Sequence, residues 1–129
     1  MRTHAASASP LEPEIGFSRA VRVDDRAWVS GTAPIGDDGA TVGEGNLRMQ
    51  TERCLEVGLR ALADVGLVAE HVVGTRIMLT DITRWREAAD VHGARFGDIR
   101  PACTFVEVSR FIDPGWLVEI ELDAAAGEQ

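Results

Sequence analysis

An α+β fold of order ββαβαββ, with two helices laid over one face of a single sheet, is what the 129-residue sequence predicts. Two segments have apolar residues at three- and four-residue spacing and carry capping residues at their ends. Segments rich in alternating or β-branched residues stand before, between and after them. Hydrophobic residues make up 45% of the chain, enough for one core in a single domain of this length.

Residues 1–13 are rich in Ala, Ser and Pro without periodicity and read as a flexible leader. The domain proper is expected over residues 14–125, with a short tail at 126–129. Phe17–Val23 alternates and Ala27–Ser30 is a short apolar run, with turn residues Asp24 and Asp25 between them, so the pair reads as a hairpin. The stretch 31–45 holds five glycines and a proline and is a loop. Asn46 is placed to cap a long helix through Leu47, Cys54, Leu55, Leu62 and Val65, and Gly66 to end it. Val72–Thr80 reads as a buried strand. Thr83 is placed to cap a second helix carrying Trp85, Ala88, Ala89, His92 and Phe96, with Gly97 to close it. Ala102–Ser109 and Trp116–Ala124 are the last strands, joined through Asp113, Pro114 and Gly115.

Two helices cover one face of a sheet, so side-chain alternation decides what the other face meets. In the last strand Val118, Ile120 and Leu122 point one way, and Leu117, Glu119, Glu121 and Asp123 the other. In the strand before it, alternation assigns Ala102, Thr104 and Val106 to the helices and Cys103, Phe105 and Glu107 to the open face. That open face mixes large apolar residues with carboxylates, the character of a surface that packs against other subunits and leaves polar pockets between them.

The net charge of −8, with no lysine and 13 scattered arginines, excludes the basic footprint of a nucleic-acid binder. A small anion held by one or two arginines is compatible with it. Cys54 and Cys103 have neither CxxC nor Cys/His spacing, so no metal is expected, and a reducing, cytoplasmic setting fits. Met1–Pro10 lacks the apolar core of a secretory signal, and no apolar run reaches the ~18 residues that span a bilayer, so no membrane association is expected.

Several motifs then occur in one order. Residues 16–21 (GFSRAV) resemble the GPYSQAV opening of Rid proteins, the reactive-intermediate deaminases also called YjgF, and residues 28–34 (WVSGTAP) resemble their YVSGQIP. Residues 72–81 (VVGTRIMLTD) are similar to VVKTTVFLTD, 100–108 (RPACTFVEV) to PARSTVEV, and 117–121 (LVEIE) to VEIEA. The resemblance covers about residues 15 to 124. It implies a chorismate-mutase-like (YjgF-like) fold and a homotrimer built as a trimeric barrel, with clefts for a small-molecule metabolite at the subunit interfaces. It further implies hydrolysis of reactive enamines or imines to ketoacids and ammonia without a cofactor; some members are described as ribonucleases. Cys103 stands where imine-hydrolysing members have an arginine that pairs with the substrate carboxylate, a contact whose loss costs about 2–5 kcal/mol. Phe17 replaces a tyrosine, and Phe105 stands where many members have a smaller residue, so the implied cleft is more apolar.

Glu119 matches the family glutamate that positions the attacking water; it serves equally as an interface carboxylate paired with an arginine. Arg76 lies inside an apolar strand and needs a partner, either a ligand anion or one of Glu107, Glu119 and Glu121. Arg19 is a second candidate for an acidic group. The backbone N–H at Thr104, next to Cys103, is placed to polarise a carbonyl or imine, and Gly31 allows close approach to the backbone. His92, on the apolar side of its helix, packs with one hydrogen bond in this reading, and no histidine is placed to activate Cys103. Imine or enamine hydrolysis therefore stands beside two alternatives, a non-catalytic ligand-binding or regulatory trimer and an endoribonuclease.

Overall fold

The computed structural model describes residues 1–127, so the last two residues of the expected tail lie outside the described part. One six-stranded sheet is built from β1 (Arg2–Ala5), β2 (Ala20–Val23), β3 (Arg26–Thr32), β4 (Val72–Leu79), β5 (Ala102–Glu107) and β6 (Val118–Ala125), in the spatial order β1-β2-β3-β6-β4-β5. The helices are α1 (Leu11–Ile15), α2 (Leu47–Asp64) and α3 (Trp85–Phe96). All pairings are antiparallel except β4 with β5, which are parallel and joined through α3.

The side chains that alternate inward explain why α2 and α3 lie where they do. Val118, Ile120, Leu122 and Ala124 of β6, Ile77 and Leu79 of β4 and Val29 of β3 are buried against Cys54, Leu55, Ala61 and Leu62 of α2 and Ala88 and Phe96 of α3. Asn46 caps α2 by accepting from the Met49 N–H at 3.0 Å, as its position predicts, and Gly66 leaves the helix with φ 88°. At the second helix the capping residue is Asp81 rather than Thr83. Its carboxylate accepts from the Thr83 N–H at 3.0 Å and starts a 3-10 turn, Ile82–Arg84, that leads into α3.

Residues 1–13, read from composition as a leader without regular structure, instead supply the edge strand β1 and most of α1. The reason is a buried ion pair that periodicity does not reveal. Arg19 and Glu12 meet at 3.2 Å with side chains only 4% and 5% exposed. The Arg19 backbone also donates to Ala5 O and accepts from the Ser30 N–H, so one residue ties the first segment to β3.

Alternation in β5 is opposite to the sequence expectation. Parallel register places Thr104 beside Arg76 and Phe105 beside Ile77, and Ile77 is buried under the helices. Phe105 therefore meets Trp85 and His92 of α3, at ring-centroid distances of 6.3 and 6.5 Å, and Glu107 accepts from the Ile82 N–H. Ala102 and Thr104 take the open face, while Cys103 shares the helix side with its register partner Thr75. Every residue of β5 except Phe105 is exposed in the single chain, so hydrophobic alternation carried no usable signal of its facing.

Breaking the Arg19–Glu12 pair from one side leaves a buried charge uncompensated, and Glu12→Ala is expected to lower the unfolding free energy by about 3–5 kcal/mol in urea titration.

Candidate functional site

The site grows out of an irregularity in β3. The register between β3 and β6 shifts between Val29 and Thr32, and Gly31 falls within the shift. A Cβ on Gly31 would stand 2.8 Å from Oε1 of Glu119, so only glycine lets this carboxylate lie against the backbone of β3. The Gly31 carbonyl is held from the other side by Arg19 Nη1 at 2.6 Å, and Arg19 Nη1 also reaches Ser30 Oγ and Thr32 Oγ1. Arg19 thus shapes the strand on which Glu119 rests.

Glu119 is half-buried, and its carboxyl is pushed above the ordinary carboxylate value. Loss of solvent is the main cause; the charge of Glu121 adds to it, and the charge of Arg19 offsets part of it. Glu119 opens on a recess of about 110 Å³ lined by Leu11, Ile15, Phe17, Gly31, Ile112 and Trp116, with Arg19 at its base. Trp116 is fixed by an Nε1–H donated to Thr41 Oγ1 at 3.1 Å. Fully buried Gln50 of α2 donates to Gly115 O at 2.9 Å and accepts from the Leu117 N–H at 2.8 Å, so the loop entering β6 is held by a helix about 65 residues away in sequence.

Four of the sequence candidates therefore come together: Phe17, Arg19, Gly31 and Glu119. Arg19 is not available to an acidic group, because its guanidinium is committed to Ser7, Glu12, Ser30, Gly31 and Thr32. Arg76 and Thr104 share a separate recess on the open face, where Arg76 pairs with Glu121 at 2.7 Å. Thr104, expected to turn its side chain toward the helices, lines that recess instead. Cys103 and Phe105 belong to the helix side, away from Glu119 in the single chain. His92 makes the one hydrogen bond expected, to Thr75 Oγ1 at 2.9 Å, and burial holds its ring below the usual histidine value. Ile15, Ile112 and Trp116 were missed as lining residues; only the turn sequence before the last strand hinted that Trp116 begins it. Among the described residues no group of three or more His, Cys, Asp or Glu side chains converges as a metal site, and no helix is long and apolar enough to cross a membrane.

A family model described as Endoribonuclease L-PSP matches residues 7–126. The crystal structure of Rv2704 from Mycobacterium tuberculosis, described as a member of the YjgF/YER057c/UK114 family, is 44% identical with a TM-score of 0.87, covering 98% of this chain and all of that one. The chain belongs to the Rid/YjgF family. Its Rid relatives include the uncharacterized protein SCO2049 of Streptomyces coelicolor, 36% identical over 94% of this chain and 90% of the relative. The 3-aminoacrylate deaminase RutC of Acinetobacter baylyi is 29% identical over 86% of this Rid chain and 85% of that protein. The family match begins at residue 7, so it takes in Glu12, α1 and strands β2 to β6.

Two outcomes follow for this Rid site. Gly31→Ala forces the Glu119 carboxylate off the backbone of β3 and, because only the flexible end of that side chain has to move, is expected to bring the Glu119 pKa down toward the ordinary carboxylate value with little change in stability, measured by NMR titration and denaturant unfolding. Because the folded-state pKa of Glu119 is raised, the native protein binds more protons than the unfolded chain between the two values, so ionising Glu119 costs stability as pH rises. Glu119→Gln should therefore melt at a higher temperature than the wild type at pH 7, and scanning calorimetry should show the difference vanishing below the ordinary carboxylate value.

Proposed function

We propose that this Rid protein is a cytoplasmic homotrimer that hydrolyses a reactive imine or enamine metabolite to a carbonyl compound and ammonia, without a cofactor, at recesses centred on Glu119. The observation that carries the proposal is a half-buried carboxylate with a raised pKa, laid against a glycine in a recess whose lining is otherwise apolar except for Ser9 and the committed Arg19. Such a group orients a water and accepts its proton, and its raised proton affinity makes it a stronger base than a solvated carboxylate.

In this reading Glu119 accepts a proton from water as the water oxygen bonds to the C=N carbon, the π pair moves to nitrogen, and Glu119 passes that proton to the nitrogen and returns to the carboxylate. The carbinolamine collapses when its hydroxyl proton passes to Glu119 and on to nitrogen; the C–N bond breaks, a C=O bond forms and ammonia leaves. Arg19 is a positioning residue, since it holds the Gly31 carbonyl and not the reactant. The likeness to RutC, a 3-aminoacrylate deaminase, supports the same chemistry. The trimer is supported by the helix-free face, where Trp28, Met78 and Val106 stand among Arg76, Glu119 and Glu121. Those residues offer apolar area and complementary charge to a second and third copy.

A trimer that binds its metabolite without turnover is the second reading, favoured by the full commitment of the Arg19 guanidinium. An endoribonuclease is disfavoured by the charge of −8. The deciding experiment mixes the protein with imines released in situ by flavin oxidases acting on amines or amino acids, and follows ammonia. Acceleration over buffer is expected, with a rate that rises with pH through a value above the ordinary carboxylate range. Glu119→Gln is expected to lower it by about 10²–10⁴. No acceleration with any imine removes the hydrolytic reading. Sedimentation should show three-chain particles.

A further inference from the structure

We infer that the substrate accepted at the Glu119 recess carries an apolar aliphatic group and no carboxylate. The inference rests on the hydrolytic reading above and narrows it from imines in general to those derived from amines.

The first support is an inventory of charge. The recess has two ionisable side chains among its described lining residues, Arg19 and Glu119. Arg19 Nε points to Ser7 Oγ and Glu12 Oε2, Nη1 to Ser30 Oγ, Gly31 O and Thr32 Oγ1, and Nη2 to Glu12 Oε2. That guanidinium is already neutralised by a buried carboxylate, so an entering anion meets Glu119 and no free cation in the lining. An unpaired carboxylate placed there is both desolvated and repelled.

The cations that line adjoining recesses of the same chain do not change the balance. Arg53 and Arg60 line an adjoining recess of about 160 Å³ that also touches Arg19, yet Asp37 holds both, at 3.0 and 3.3 Å, and Glu56 pairs with both as well. Arg76 lies in a different recess and is taken by Glu121.

The second support is the wall. Leu11, Ile15, Phe17, Ile112 and Trp116 surround the opening, and two of them are aliphatic side chains unusually open to solvent, Ile15 at 61% and Ile112 at 73%. An apolar substituent seated between them removes that surface from water. At about 110 Å³ the recess is smaller than the roughly 150 Å³ cavities that take benzene, which favours a branched chain of a few carbons over an aromatic ring.

A matched pair isolates the carboxylate. Flavin oxidases convert leucine to its imino acid and 3-methylbutylamine to the corresponding imine, R–CH=NH, with R the same isobutyl group; each then takes up one water and releases one ammonia. Ammonia release with wild-type protein is compared with buffer for both. The acceleration is expected to be about tenfold or more greater for the amine-derived imine, the discrimination set by leaving a carboxylate without a partner. Equal or greater acceleration of the leucine-derived imino acid overturns the inference and leaves the hydrolytic reading standing; acceleration of neither overturns both. Ile112→Arg puts a cation at the exposed rim, where folding is not at stake. It should move the ratio about tenfold toward the imino acid. A ratio unchanged in that variant overturns the assignment of discrimination to this recess.

Discussion

Six hydrogen bonds, those to Glu12 forming a buried ion pair, converge on the guanidinium of Arg19, and most of what distinguishes the site depends on them. From the N-terminal side come Ser7 and Glu12; from β3 come Ser30, the Gly31 carbonyl and Thr32. A planar group with five donors in fixed directions suits this task, because it can satisfy a carboxylate and several strand atoms at once without rearrangement. Lysine has no such fork. The interaction converts a segment poor in apolar residues into an edge strand and a short helix, and it fixes the irregular part of β3 from beneath.

That fixed irregularity gives Glu119 its character. On the helix side of β6, Val118 and Ile120 are core residues; on the other side Glu119 rests on a backbone that lacks a side chain at Gly31. The carboxylate is thereby brought into a partly dry place without being paired, and burial raises its proton affinity. A carboxylate held this way costs the fold some stability, which is the common signature of a group retained for chemistry rather than for packing.

The sheet, the two long helices, the cap at Asn46 and the inward set of β6 were all legible in the sequence, because each leaves a periodic or a capping signal over several residues. The order of the motifs singled out Phe17, Gly31 and Glu119 as candidates, and they line one recess. What escaped was of another kind. Glu12 stabilises through buried contacts with Arg19, seven positions away, and with Ser7, and composition cannot distinguish such a glutamate from a solvated one. The facing of β5 escaped because an exposed edge strand has no buried stripe to set its parity. The role of Arg19 was misread for a related reason: an arginine that faces carbonyls and a carboxylate inside the protein has the same sequence signature as one awaiting a ligand.

The short connection between α3 and β5 has a consequence for how members of such a family diverge. In parallel pairing with β4, the side that each β5 residue presents is set by the length of that connection, residues 97–101. A one-residue slip there puts Cys103, Phe105 and Glu107 on the helix-free side in place of Ala102, Thr104 and Val106, with no change in the composition of the strand. Indels at this hinge thus redraw the neighbouring chemistry wholesale, whereas point substitutions alter it one group at a time.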